Sequence, residues 1–177
     1  MKAIQKLFIL SIAVFLFCSC EEPIDESGMY MRTYTYNYFV RNGLDSDVVF
    51  RYVATSRNSR YSHIDRSFGV SPTKAVLVDT QVKFTGSNRA DQIPVLTADN
   101  KDKYVLYDYD NRKKYDDPYI TIEHNGKMYQ SSKPIDDILL TEYYELESAN
   151  DTTFNFYFTI DQAYLSVLDE VVDNGMQ

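Results

Sequence analysis

Tryptophan is absent from this 177-residue chain, and histidine and cysteine occur only twice each. Histidine is the usual general base near neutral pH, so His63 and His124 are the only residues of that kind from which such chemistry could start. A Gly-x-Ser-x-Gly nucleophile elbow is also missing. His63 has Ser62 and Asp65 close by in sequence, but a Ser-His-Asp site is built from distant segments and defined by geometry. His124 sits beside a turn, where an exposed strand end is expected. Two histidines without a retained free cysteine do not supply the usual zinc ligand set. No catalytic residue, metal or cofactor is therefore expected. Internal repeats are absent, and so are low-complexity tracts beyond the first residues.

Long apolar runs are nearly absent too. The one example, LFILSIAVFLFC from Leu7 to Cys18, has 12 residues, whereas a helix needs about 18 to 20 to span a bilayer. With Lys2 and Lys6 before it and small residues at Ser19 and Cys20 after it, the run reads as an export signal. These residues resemble a bacterial lipoprotein signal, in which cleavage falls directly before a cysteine carrying a diacylglycerol thioether. Ser19 is a small residue before Cys20, whereas bulky Phe17 precedes Cys18, so Cys20 is the expected lipidated residue. The following EEPIDES is similar to the acidic tether of surface-exposed lipoproteins in the Bacteroidota, which implies an outer-membrane, surface-exposed location. Each buried CH₂ contributes roughly 0.8 kcal/mol and a single acyl chain binds only marginally, so two or three chains would hold the protein permanently.

The expected organisation is a signal at 1–19, a lipidated tether at 20–31 and one β-sandwich domain at 32–177. Loss of the signal removes Lys2 and Lys6 and no acid, so 18 basic residues become 16 against 26 acidic ones, a balance of −10. Such a charge repels nucleic acid and anionic membrane surfaces. The membrane contact expected is the anchor alone. With no cysteine left except Cys20, the fold must stand on packing without a disulfide.

What the chain has in quantity is aromatic: 16 Tyr and 10 Phe, residues that favour strands. From Arg32, RTYTYNYFV alternates with Tyr34, Tyr36, Tyr38 and Val40 on one face. After a turn at NGLDSD, DVVFRYVA alternates Val48, Phe50 and Tyr52 against Val49, Arg51 and Val53. The polar stretch from Thr55 to Pro72 reads as a long connection that crosses between sheets. Residues 74–85 read as strand, with a bend at Asp79–Gln81 that could divide it. KYVLYDYD at 103–110 reads as a further strand. Asn125-Gly126 predicts a type I′ hairpin with Ile122 opposite Tyr129 and Glu123 opposite Met128. ILLTEYYELES and TFNFYFTI read as strands, the second with Phe154, Phe156, Phe158 and Ile160 as a core stripe. Asp161 predicts a helix N-cap, followed by helical spacing up to Gly175.

About seven or eight strands without crossover helices imply an all-β antiparallel β-sandwich with one short C-terminal helix. The segment from Phe158 to Tyr164 resembles the closing strand of immunoglobulin-like or transthyretin-like domains in Bacteroidota lipoproteins.

Two surface features suggest ligands. In YDYDNRKKYDDPY, Tyr107, Tyr109, Tyr115 and Tyr119 stand among acids that include Asp116. Rings beside carboxylates can stack on sugars and accept their hydroxyl hydrogen bonds, although tyrosine also suits half-buried strand positions. As a calcium loop from Asp108, the run has Lys113 where glycine belongs and no closing Glu. A solvated charged turn is the simpler reading, with calcium as the alternative. Arg57, Arg60, His63 and Arg66 form a basic concentration that could receive an acidic ligand or a protein. The composite expectation is a non-enzymatic binding or interaction module, accessory to an outer-membrane complex. By likeness to the accessory lipoproteins of starch-utilisation-type loci, the alternative is a glycan-binding protein of a polysaccharide uptake system. A pilus or adhesin subunit is the third class.

Overall fold

The computed structural model describes residues 28–54, 64–106, 118–133 and 135–171. These fall into two compact units, Met1–Thr33 with Phe84–Val95, and Tyr34–Lys83 with Leu96–Gln177. Nine strands occur among the described residues: β1 Tyr30–Asn42, β2 Val48–Ala54, β3 Ile64–Val70, β4 Ala75–Ser87, β5 Tyr119–His124, β6 Lys127–Gln130, β7 Glu145–Ala149, β8 Thr153–Ile160 and β9 Asp169–Val171. One four-residue helix, α1, covers Gln162–Leu165. The strands build two sheets, ordered β4-β1-β8-β7 and β3-β2-β5-β6-β9. The fold is an all-β sandwich.

In the smaller unit Thr85 Oγ1 donates to Pro94 O at 3.0 Å, and Arg89 pairs with Asp91 at 3.0 Å beside a 3₁₀ turn at Ala90–Gln92. At Gly86 a Cβ would lie 2.5 Å from Met31 Sδ and 3.2 Å from Tyr30 O, so a larger residue there would have to displace the Met31 side chain.

The core of the larger unit follows the alternation in the sequence. Tyr34, Tyr36, Tyr38 and Val40 of β1 are fully buried, and the Phe154, Phe156, Phe158 and Ile160 stripe of β8 is buried beside them. Val48, Phe50 and Tyr52 of β2 and Ile120 and Ile122 of β5 bring the second sheet into the same core. Tyr36 and Tyr38 stack on Phe156 with centroids 6.4 and 5.4 Å apart. Their hydroxyls reach Thr97 O at 2.9 Å and Gln81 Oε1 at 3.2 Å, so these rings are buried without stranding a polar group. The hairpin forms in the expected register, Ile122 opposite Tyr129 and Glu123 opposite Met128. Asn125 and Gly126 have φ of 52° and 72°, as its turn demands.

The structure corrects several expectations. Within the polar stretch from Thr55 to Pro72, residues Ile64–Val70 form β3, antiparallel to β2 in the same sheet, so the stretch is not all connection, and the expected crossing to the other sheet is made after Val70, on the way into β4. Its alternation was masked because an edge strand with an exposed face tolerates Asp65 and Arg66. β4 runs unbroken through Asp79–Gln81. Residues 103–106 make only a bridge from Tyr104 to Leu140. Side chains of β4 meet this segment instead: Gln81 Nε2 donates to Tyr104 O at 2.8 Å and Asp79 Oδ2 accepts from Leu106 N at 2.9 Å. Residues 107–110 lie outside the described residues.

The first half of ILLTEYYELES forms two 3₁₀ turns, Asp137–Leu139 and Thr141–Tyr143, before β7 begins. Asp161 does cap a helix, accepting from Tyr164 N at 2.8 Å, but α1 stops at Leu165. β9 then pairs with β6, so an open sheet edge outcompetes the helical spacing. The pairing of β1 with β8 is parallel, which the expectation of antiparallel sheets did not include. Strands so far apart in sequence need no short turn, and the rest of the domain serves as the crossover.

Candidate functional site

Parallel, in-register pairing of β1 with β8 sets Asn37 beside Asn155, Phe39 beside Tyr157 and Arg41 beside Thr159. Because Tyr36, Tyr38 and Val40 point into the core, these intervening residues share the outer face. An amide ladder crosses all four strands of this sheet. Thr80 Oγ1 on β4 donates to Asn37 Oδ1 at 3.1 Å, Asn37 Nδ2 donates to Asn155 Oδ1 at 2.9 Å, and Asn155 Nδ2 donates to Ser148 Oγ on β7 at 2.9 Å. A side-chain amide carries two N–H donors and two acceptor lone pairs, so each asparagine keeps hydrogen-bonding capacity for a partner above the sheet.

The next row is aromatic. Phe39 and Tyr157 stack at 4.8 Å with planes 12° apart, and Arg41 Cζ lies 4.7 Å from the centre of the Tyr157 ring. Arg41 forks onto both Glu147 oxygens at 2.6 Å. The hydrogen bond with Glu147 holds the Arg41 guanidinium above its usual range, and the bond with Arg41 holds the Glu147 carboxyl below its usual range. The stabilisation from Glu147 is present above its unfolded-state value and lost as pH falls through the lower folded one. At neutral pH the two charges cancel locally. The face thus offers flat aromatic surface, amides and a neutralised ion pair.

Of the residues expected to form a sugar platform, Tyr119 is described. It opens β5 opposite Val53 and is 41% exposed, on the five-stranded sheet. Tyr107, Tyr109, Tyr115 and Asp116 lie outside the described residues, as do Cys20, His63, Arg57, Arg60 and the acidic turn at 108–117. Arg66 is an exposed residue of β3.

His124 departs from expectation, being only 7% exposed. Its Nε2 lies 2.8 Å from Ser46 Oγ and 3.9 Å from Asp45 Oδ1. Ser46 donates its hydroxyl proton to Asn125 Oδ1 at 2.8 Å, leaving its lone pair to accept from the Nε2–H tautomer. A serine so engaged is not activated as a nucleophile, and the group ties the β1–β2 turn to the hairpin corner. Lys101 is spent similarly: it donates to Thr141 O at 2.8 Å and covers the Phe156 ring at 4.7 Å, while burial lowers its pKa. Among the described residues no group of three His, Cys, Asp or Glu could hold a metal, and no helix is long and apolar enough to cross a membrane.

Sequence reading did not find the outer face. The Asn37-x-Phe39-x-Arg41 and Asn155-x-Tyr157-x-Thr159 patterns were visible, but not the pairing of residues 118 positions apart. No family model, curated protein or solved structure matches the chain.

Proposed function

We propose that this chain is a non-enzymatic binding module, a surface-exposed lipoprotein held in the outer membrane by acyl chains on Cys20, with the outer face of the four-stranded sheet as its ligand face. Immunoglobulin-like or transthyretin-like is the subclass of sandwich that belongs to this reading. The anchor is supported by the charged start, short apolar run and small flank of the first twenty residues. One observation carries the binding role: unspent amide capacity on Asn37 and Asn155 lies next to the Phe39–Tyr157 stack on an outward sheet face. Mass spectrometry of the native N-terminus tests the anchor. A diacylglycerol thioether on Cys20 is expected, and Cys20→Ser should release the protein from the membrane fraction. A free thiol at Cys20, or a chain that starts elsewhere, rejects it.

The same face favours a second, finer reading, a glycan-binding accessory of polysaccharide uptake. Sugar rings present hydroxyls to amides and C–H faces to aromatic rings, and a locally neutral surface suits an uncharged chain. On a panel of immobilised polysaccharides, Phe39→Ala and Asn155→Ala should each weaken retention roughly tenfold, the equivalent of ~1.4 kcal/mol from one lost contact, with melting little changed. Absence of retention on every polysaccharide would reject the sugar ligand and leave the anchor untouched.

A further inference from the structure

Among the described residues the two sheets have four edge strands, and three of them are blunted. β3, β7 and β9 have 7, 5 and 3 residues. They carry Asp65 and Arg66, Glu145 and Glu147, and Asp169 and Glu170, and β7 also contains a register shift between Leu146 and Ser148. Short length, charges and bulges are how proteins prevent edge-to-edge pairing.

β4 is different. It has 13 residues, and β1 is its one neighbour among the described strands. Its charges within Ala75–Lys83 are Asp79 and Lys83, and both are engaged within the fold. Asp79 accepts from Leu106 N, and Lys83 pairs with Asp102 at 2.9 Å and donates to Asn100 O. What β4 exposes over this stretch is Ala75, Leu77 at 47%, Val82 at 49% and the neutral Thr80.

We propose that β4 pairs with the β4 of a second copy of this chain, antiparallel across a two-fold axis, to make one continuous eight-stranded sheet. An isologous contact sets a patch against itself, and like charges directly opposite one another on paired strands are destabilising. The exposed residues of β4 carry no charge to repel its own image, while each of the other three edges does. Leu77 and Val82 would lose water-exposed apolar surface on pairing. Such pairing closes at two copies, unlike strand exchange along a filament.

Sedimentation of the detergent-extracted, lipidated protein tests this, with Leu77→Lys and Val82→Lys as variants and Asp65→Asn on β3 as the control edge. A dimer is expected for the unmodified protein and the control, with at least tenfold weaker association in either lysine variant. Circular dichroism identifies any variant that fails to fold. Thr80→Cys provides a second measurement that introduces no charge: mild oxidation of intact cells should cross-link two copies through this residue, and Asp65→Cys should not. A monomer at all concentrations, a dimer indifferent to both lysines, open-ended polymers, or cross-linking of Thr80→Cys to a different protein would each overturn the proposal.

Discussion

Phe156→Ala is expected to lower the stability of the fold by about 3–5 kcal/mol, the range for removing a large buried aromatic ring. The side chain is 2% exposed and stacks on Tyr38 at 5.4 Å and on Tyr36 at 6.4 Å, with the Lys101 ammonium 4.7 Å from its centre. Its loss leaves a cavity beneath rings fixed by hydrogen bonds to Thr97 and Gln81, so collapse into the space is restrained. Domains of this kind are stable by about 5–15 kcal/mol in total, and the variant would lose a large share of that. Urea denaturation measures the loss, with Phe39→Ala on the half-buried outer face as the comparison. A Phe156→Ala loss no larger than that of Phe39→Ala would show that the stripe of β8 is not the centre of the core.

Asp136→Ala should cost about 2–4 kcal/mol, because it strands a buried backbone donor and a partly buried hydroxyl at once. The Asp136 carboxylate, 4% exposed, accepts from Ile138 N at 3.1 Å and from the Tyr164 hydroxyl. Burial, and after it the charge of Asp136, pushes the Tyr164 hydroxyl far above its usual pKa. The carboxylate thus joins the 3₁₀ turn at Asp137–Leu139 to α1. Tyr164→Phe removes one of the stranded donors. In the double variant the losses should therefore fall short of additive by about 1 kcal/mol or more, the signature of a direct interaction. Additive losses in a denaturation cycle would rule out that link.

The alternating segments were legible from the residues because a period of two leaves no choice of face once one side is apolar. This is why β1, β2 and β8 bury the faces expected of them and the Asn125-Gly126 hairpin takes its expected register, although β1 runs from Tyr30 to Asn42, beyond the expected Arg32–Val40 at both ends. Segments whose periodicity is opposed by a tertiary partner were misread. The region after Leu165 has helical spacing but supplies β9 to the free edge of β6. Residues 103–106 have strand composition, yet their backbone is bonded by the Asp79 and Gln81 side chains. His124 reads as an exposed corner residue and is buried, with the β1–β2 turn bringing Ser46 to its ring. Each reversal depends on what a distant segment offers, which no local window contains.

By itself the sequence determined the strand-rich class, the face of each long strand that goes inward and the hairpin turn, all consequences of short-range spacing. Tertiary structure alone decided that β1 lies parallel to β8. This juxtaposition turns two unremarked outward rows into one amide and aromatic face, and it leaves β4 as a long edge whose exposed residues carry no charge. The physical reason is that side-chain alternation fixes which way a residue points but carries no information about which strand stands next to it.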